Sequence, residues 1–263
     1  MEKNKKQSLA ETKSIILYRN KISKKQIDEV FEVMVNLFKF YFPNIFKWLP
    51  KKISAKIWNK DKFHRSILQA RKKSKIKFGK VYDTIQLSYP LKKLMTSDNL
   101  MRTINKYSSL KEQNFICFNS LVRFDPPFDN RNTVDWHYDL YPNSLTIDPV
   151  NGLTVVVAFH DTKIVHGAPI FLLNSSKSDI KMFLKKGKNN KSDKYLLNKK
   201  TLNKYKRKIF EIKSGDILVF PMKTIHKSGE NISNKVRISG LFRYYPISKK
   251  GFTSLKETYV PTK

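Results

Sequence analysis

The sequence predicts a mainly β architecture with flanking helices: a sandwich or barrel of short strands behind a helical, strongly basic N-terminal region. From about Phe115 the chain breaks into short runs rich in β-branched and aromatic residues, FICFNSLVRF, LTVVVAF, APIFLLN, KIFEI, DILVFP and KVRISGLFRYY. Gly, Pro, Asn and Asp punctuate these runs, and no long helical period lies between them, which is the pattern of a sheet-based core. Upstream, apolar residues recur at spacings of three and four, as on one face of a helix. At 263 residues with 40% hydrophobic and 13% aromatic side chains, the chain can bury a sizeable core and is not generally disordered.

The elements follow in order. The first twenty residues, MEKNKKQSLAETKSIILYRN, carry basic side chains but no continuous apolar stretch of signal-peptide length. Cys117 is the single cysteine, so no intramolecular disulfide or cysteine zinc cluster is expected, and the expected location is cytoplasmic. Residues 24 to 48 predict an amphipathic helix as far as Pro43. The stretch from Phe31 to Pro50 is interrupted by Glu32, Lys39, Pro43 and Lys47, so it predicts no transmembrane segment. Residues 47 to 80 carry thirteen Lys or Arg against one acid, Asp61, with Trp48, Ile53, Ile57, Trp58 and Phe63 interleaved. That composition predicts a solvated helix with its apolar stripe on the core, with His64 on its surface. Peripheral contact with an anionic membrane is the alternative. The division expected is a helical elaboration over 1–114, a core over 115–246 and a tail over 247–263. Within the core, residues 174–208, with thirteen Lys or Arg and two acids, read as a surface insertion, either plain loop or active-site lid.

The net charge of +32 admits two explanations. Phosphate neutralisation could make nucleic acid a partner. However, the basic residues are 44 Lys against 9 Arg, and Arg is the residue suited to bidentate phosphate and base contacts. A general drift of surface positions to Lys is the favoured explanation, so nucleic acid is not the expected partner.

Chemistry concentrates in Trp136-His137-Tyr138-Asp139. On an extended segment, side chains at i and i+2 share a face, so His137 and Asp139 can present a nitrogen and a carboxylate oxygen to one metal ion. A second segment runs from Ser214-Gly215-Asp216 through Ile217-Leu218-Val219-Phe220-Pro221 to Ile225-His226-Lys227-Ser228-Gly229-Glu230-Asn231. It reads as a turn, a buried strand, and a His delivered at the strand's far end. Residues 235 to 243 then return as a partner strand, with Arg237, Ser239, Leu241 and Arg243 on one face and Val236, Ile238 and Phe242 on the other. A face carrying two Arg suits the wall of a polar cavity with an acidic occupant. Two His and one carboxylate leave open positions on iron, the arrangement of non-haem oxygenases. A keto acid could fill two of them, with Arg237 at its far carboxylate and Ser228 or Ser239 donating a hydroxyl.

These segments resemble the phytanoyl-CoA dioxygenase family of 2-oxoglutarate-dependent oxygenases. The pattern is carried by Trp136, His137 and Asp139; by Gly215, Asp216 and Phe220; by His226, Ser228, Gly229, Asn231 and Ser233; and by Arg237, eleven residues after His226. Asp161 to Pro169 resembles the family's turn before its next strand, with His166 where Asn or a similar residue is usual. Asn174-Ser175-Ser176 falls near its P-G-S-H segment, of which the Pro, Gly and His are absent. The resemblance spans roughly residues 115 to 246. It implies a double-stranded β-helix, a jelly-roll of cupin type. It also implies Fe(II) at His137, Asp139 and His226, 2-oxoglutarate at Arg237 with help from Ser228, and O2 as oxidant.

The reaction so implied is hydroxylation of a small-molecule substrate with release of succinate and CO2. Asp139 occupies the position at which related halogenating enzymes have Gly or Ala, which favours hydroxylation. Tyr138, Tyr141, His166 and Arg243 are the candidate substrate residues, and Arg243 with the basic surface favours an anionic substrate. His160 reads as a hydrogen-bonding strand end, while Arg123 either pairs with an acid or faces the cavity. Two rivals remain. One is an AlkB-type oxidative demethylase of nucleic acid, suggested by the six-residue spacing of Arg237 and Arg243. The other is a non-enzymatic binding protein on a cupin-like barrel.

Overall fold

Ser23 opens the first helix with a capping box: its hydroxyl accepts from the Gln26 amide while the Gln26 side chain accepts from the Ser23 amide. The computed structural model describes residues 14–108, 115–129, 135–139, 152–177, 183–185 and 194–246, and in them the chain is a mixture of helices and antiparallel sheets. A short strand β1 (Ile16–Tyr18) precedes helices α1 (Lys24–Tyr41) and α2 (Pro43–Phe46), a 3-10 turn at Ala55–Asn59, and α3 (Asp61–Lys73). Then come α4 (Lys75–Gln86), α5 (Tyr89–Met95) and α6 (Asp98–Ser108). The remaining elements are β2 (Phe115–Asp125), β3 (Leu153–Ala158), β4 (Ile170–Leu172), β5 (Phe183–Lys185), β6 (Lys194–Leu196), α7 (Lys199–Leu202), β7 (Arg207–Ile209), β8 (Ile217–Pro221), β9 (His226–Lys227) and β10 (Arg237–Pro246).

The strands form a five-stranded sheet in the order β1-β8-β3-β10-β2, a three-stranded sheet β7-β4-β9, and a β5-β6 pair. Every pairing is antiparallel. Alternation along the large sheet sorts its side chains. Val122, Phe124, Val155, Val157, Ile217, Val219, Ile238 and Phe242 enter one core with Ile27, Phe31, Met34 and Phe38 of α1. Each such side chain contributes about 1.5–3 kcal/mol of gross burial energy. The opposite face meets the smaller sheet through Phe171, Phe210, Leu218 and Phe220.

Two expectations change against this architecture. β1, from the region read as a helical elaboration, is a strand of the main sheet. The expected 174–208 insertion contains, among its described residues, the β5–β6 pair and α7, with Leu197 and Leu202 buried beside Trp136. In the basic region Ile53, Ile57, Trp58, Phe63 and Ile67 are buried in the core, as the favoured reading of that stretch expects, while Trp48 is partly buried and Ile76 is exposed. Among the described residues, no helix is long and apolar enough to cross one.

His64 is also buried rather than on the surface, because its ring completes a backbone-binding cluster. Its Nε2–H donates to the Trp58 carbonyl, and its Nδ1 accepts from the Val236 amide at 2.9 Å. The Trp58 indole donates to the Val236 carbonyl at 2.9 Å and stacks on His160 at 3.6 Å. His160 in turn accepts from the Ile238 amide at 2.8 Å. β3 pairs with β10 only from Ser239 onwards. Before that point imidazoles take the place of a neighbouring strand and satisfy the amides on either side of Arg237.

At the turn into β8, Gly215 has φ +84°, and a Cβ there would stand 2.6 Å from the Ile22 carbonyl oxygen. Its own carbonyl accepts from the Lys21 and Ile22 amides, tying the start of α1 to the sheet. Only glycine combines that conformation with that approach.

Candidate metal centre

His137 and His226 face each other across an antiparallel bridge. The His137 amide donates to the His226 carbonyl at 2.9 Å, and the His226 amide returns the bond at 2.8 Å. Directly opposed residues of such a pair project to the same side, and the two ring centroids lie 4.4 Å apart. Two residues further on, the Asp139 amide is held by the Met222 carbonyl at 2.9 Å. Backbone pairing therefore converges three side chains whose ligand atoms all lie within 4.8 Å of one another.

Each imidazole is oriented by its other nitrogen. His137 Nδ1–H donates to the Asp135 carbonyl at 2.7 Å, and His226 Nδ1–H to the Thr224 carbonyl at 3.0 Å. Both Nε2 atoms then face Asp139, at 3.7 and 3.9 Å from its oxygens. Burial lowers the His137 pKa to about 4 and also lowers that of His226, so both rings are neutral near pH 7, as metal ligation requires. Phe171 stacks on the His226 ring and Phe220 meets it edge-on, fixing its plane.

Asp139 is buried with both oxygens engaged: Arg243 donates to Oδ1 at 2.8 Å and the Thr154 hydroxyl to Oδ2 at 2.6 Å. Burial alone would raise its pKa. Arg243, the two imidazoles and the Thr154 hydrogen bond outweigh that and hold the carboxyl well below the usual range. A carboxylate oxygen accepts more than one partner, so these contacts orient the group while leaving it able to bind a cation. The two neutral imidazoles, the ionised carboxylate and their facial grouping suit a divalent transition metal with open positions.

The three residues open on a cavity of about 710 Å³. Arg237, Ser239, Leu241 and Arg243 all line it, in the alternation read from the sequence, and so does Ser228. Arg237 binds Asp125 through Nε at 3.0 Å and Nη2 at 2.7 Å, while Arg123 meets the other Asp125 oxygen at 2.7 Å and lies 3.4 Å from the Ser228 hydroxyl. Arg123 thus both pairs with an acid and faces the cavity. The Arg237 contacts to Asp125 use Nε and Nη2.

The expected substrate residues divide between the cavity and other surroundings. Arg243 contacts Asp139 directly. Tyr138 points away from His137 and Asp139, into the cluster of Trp136, Leu172 and Ile225. His166 lies edge-on to Trp58, is not among the cavity-lining residues, and its Nδ1 accepts from the Lys163 amide at 3.2 Å. Tyr141 lies outside the described residues. Within the His226–Ser233 pattern, Asn231 and Ser233 act on the backbone: the Asn231 amide donates to the Asp125 and Lys235 carbonyls and its oxygen accepts from Ser233. They hold the end of β2 against the loop into β10.

Sequence reasoning passed over Asp125, Thr154, Arg71 and Lys75. Asp125 and Thr154 could have been found by extending the strand alternation to β2 and β3. Arg71 and Lys75 were lost in a long basic run.

A model of the family described as phytanoyl-CoA dioxygenase (PhyH) matches residues 16–239. Among solved structures, the non-heme monooxygenase ThoJ in its apo form is similar at 12% identity with TM-score 0.56, over 90% of this chain and 76% of its own. The ThoJ-Ni complex gives TM-score 0.52 at 12% identity, over 97% and 87%. The epimerase SnoN in complex with Fe3+, alpha ketoglutarate and nogalamycin RO gives 0.50 at 16% identity, over 68% and 70%. A comparison with curated proteins finds no match. At these identities the structural likenesses bear on the fold.

Proposed function

The chain belongs to the phytanoyl-CoA dioxygenase family, and from that membership we propose that it is an Fe(II)- and 2-oxoglutarate-dependent dioxygenase that hydroxylates a small anionic molecule. The observation that carries the reading is the convergence of two pinned, neutral imidazoles and one buried carboxylate on a single point of a 710 Å³ cavity. SnoN, described in complex with Fe3+ and alpha ketoglutarate, supports the choice of metal and cosubstrate. The facing sheets are read as a double-stranded β-helix formed mainly by residues 115–246, completed by β1.

His137, Asp139 and His226 would hold the iron, and Arg237, with Ser228 and Ser239 beside it, the far carboxylate of 2-oxoglutarate. When bound, this pair supplies the oxidising power: one oxygen atom of O2 goes to the substrate C–H bond and the other into succinate, with release of CO2. The chain's own share is positional. Asp125 steers the Arg237 guanidinium, Arg243 and Thr154 fix Asp139, and Val156, Phe171, Phe220 and Leu241 form apolar wall around the site. Hydroxylation rather than halogenation is read from Asp139, which stands where related halogenating enzymes have Gly or Ala. The cavity volume suits a small molecule.

The test is succinate release from 2-oxoglutarate across a panel of anionic small molecules, with Fe(II) and ascorbate present and His137→Ala as the blank. Wild type should exceed the blank with at least one substrate. Equal rates in both chains would refute the proposal.

A further inference from the structure

Six cationic side chains line the cavity, Arg71, Lys75, Arg123, Lys227, Arg237 and Arg243, against two carboxylates, Asp125 and Asp139. An iron(II) ion and a 2-oxoglutarate dianion cancel each other's charge, so loading the site leaves this excess in place. Asp139 is matched to Arg243, and Asp125 sits between Arg123 and Arg237 beside the expected cosubstrate carboxylate. Lys227 lies 5.2 Å from the Trp136 ring centroid, in cation–π contact. Lys75 remains, with Arg71, which is paired to Asp129, beside it on the cavity lining.

Their setting is a built one. Lys75, Phe78, Gly79 and Tyr82 stand at i, i+3, i+4 and i+7 of α4, and all four line the cavity. Lys75 is exposed, so this face forms the solvent end of the cavity. Arg71 arrives from the last turn of α3 and is oriented by an ion pair with Asp129 through Nη2, which leaves its other donors for a ligand. Gly79 sits inside a helix, where glycine is disfavoured relative to alanine. A Cβ there would meet nothing within 4 Å, so the position leaves open space beside the two cations.

We infer that Arg71 and Lys75 form a site at the cavity mouth for a phosphate-type dianionic group of the substrate, separate from the cosubstrate's place at Arg237. A phosphate-type group presents oxygens in several directions, so it can accept at once from Lys75 and from the donors that Asp129 leaves on Arg71. The inference rests on the oxygenase reading, because the charge balance assumes the metal and keto acid are bound.

The experiment is calorimetric titration of the full chain, loaded with Mn(II) and saturating 2-oxoglutarate, with inorganic phosphate and separately with acetate at matched ionic strength. Phosphate should bind with 2-oxoglutarate present and acetate should not. Lys75→Glu should weaken phosphate at least about tenfold, the loss expected from one charge-assisted contact, with 2-oxoglutarate affinity unchanged. Arg71→Gln is a second variant, and Lys75→Glu keeps the test valid if that one unfolds. The inference is overturned, with the oxygenase reading intact, by phosphate binding that 2-oxoglutarate abolishes, by equal binding in Lys75→Glu, or by acetate binding as tightly. Failure of 2-oxoglutarate to bind the Mn(II)-loaded wild-type chain overturns both.

Discussion

Replacing Arg243 with Met removes the cation beside Asp139 while keeping most of the side-chain length. The two side chains are 6% and 2% exposed, and their contact is 2.8 Å, so water cannot take over the lost interaction. Breaking a buried ion pair on one side costs about 3–5 kcal/mol. At this chain length 1 kcal/mol corresponds to about 2–4 °C, so metal-free Arg243→Met should melt about 10 °C below wild type. Adding Mn(II) returns a cation to the same carboxylate. The metal-induced rise in Tm should therefore be larger in the variant than the roughly 2.7 kcal/mol equivalent given by ligand at 100 times its Kd. Differential scanning calorimetry with and without Mn(II) measures both quantities. The double variant Arg243→Met/Asp139→Asn should recover stability without metal and lose the Mn(II) response. An unchanged metal-free Tm, or equal Mn(II) shifts in wild type and Arg243→Met, would refute the coupling of Arg243 to the site.

Further outcomes are expected. Gly79→Ala should raise stability by about 1 kcal/mol, or about 2–4 °C, since its Cβ meets open space on a helix; a lower Tm would contradict the placement. Arg237→Lys should weaken 2-oxoglutarate at least about tenfold in a calorimetric titration, because an ammonium cannot present a fork to a carboxylate while also holding Asp125. Burial lowers the His64 pKa from 6.5 to about 4, so below pH 6.5 the unfolded chain takes up a proton that the folded chain refuses. Its contribution is complete above that pH and falls by up to about 3 kcal/mol as pH drops to about 4. Urea midpoints across that window should show less pH dependence in His64→Gln than in wild type; identical slopes would count against the clasp on Val236.

Legibility in the sequence followed periodicity. The grouping of His137 with Asp139, and of Arg237 with Arg243, came from the two-residue repeat of a strand, and the structure puts each pair on one face. What the repeat does not carry is which partner a side chain meets. Arg243 was expected at a substrate anion, but the nearest anion is Asp139, brought there by a loop with no local signal to β10. Tyr138 follows the same rule in reverse: flanked by two cavity residues, it must point away from them. His64 looked like a surface residue because its neighbours in sequence are cationic. Its partners, Trp58 and the Val236 backbone, include one 172 residues away, a distance over which composition says nothing. The mixed architecture was legible only in halves, since β1 is three residues long and buried strand pairing needs a partner no local window contains.

That same β1 has a consequence for how the chain is made. Ile16, Leu17 and Tyr18 pair with Val219, Leu218 and Ile217, so this strand waits for a partner synthesised about 200 residues later. At roughly 5–20 residues per second of synthesis, the wait is about 10–40 s. Throughout that interval the growing chain has α1 available but no edge for β1 to join. The sheet therefore gains its β1 edge only once β8 has been made. His137 and Asp139 precede β3 and His226 follows β8, so the candidate metal group assembles only after His226 has been made, and loading of a metal there would follow the pairing of these segments.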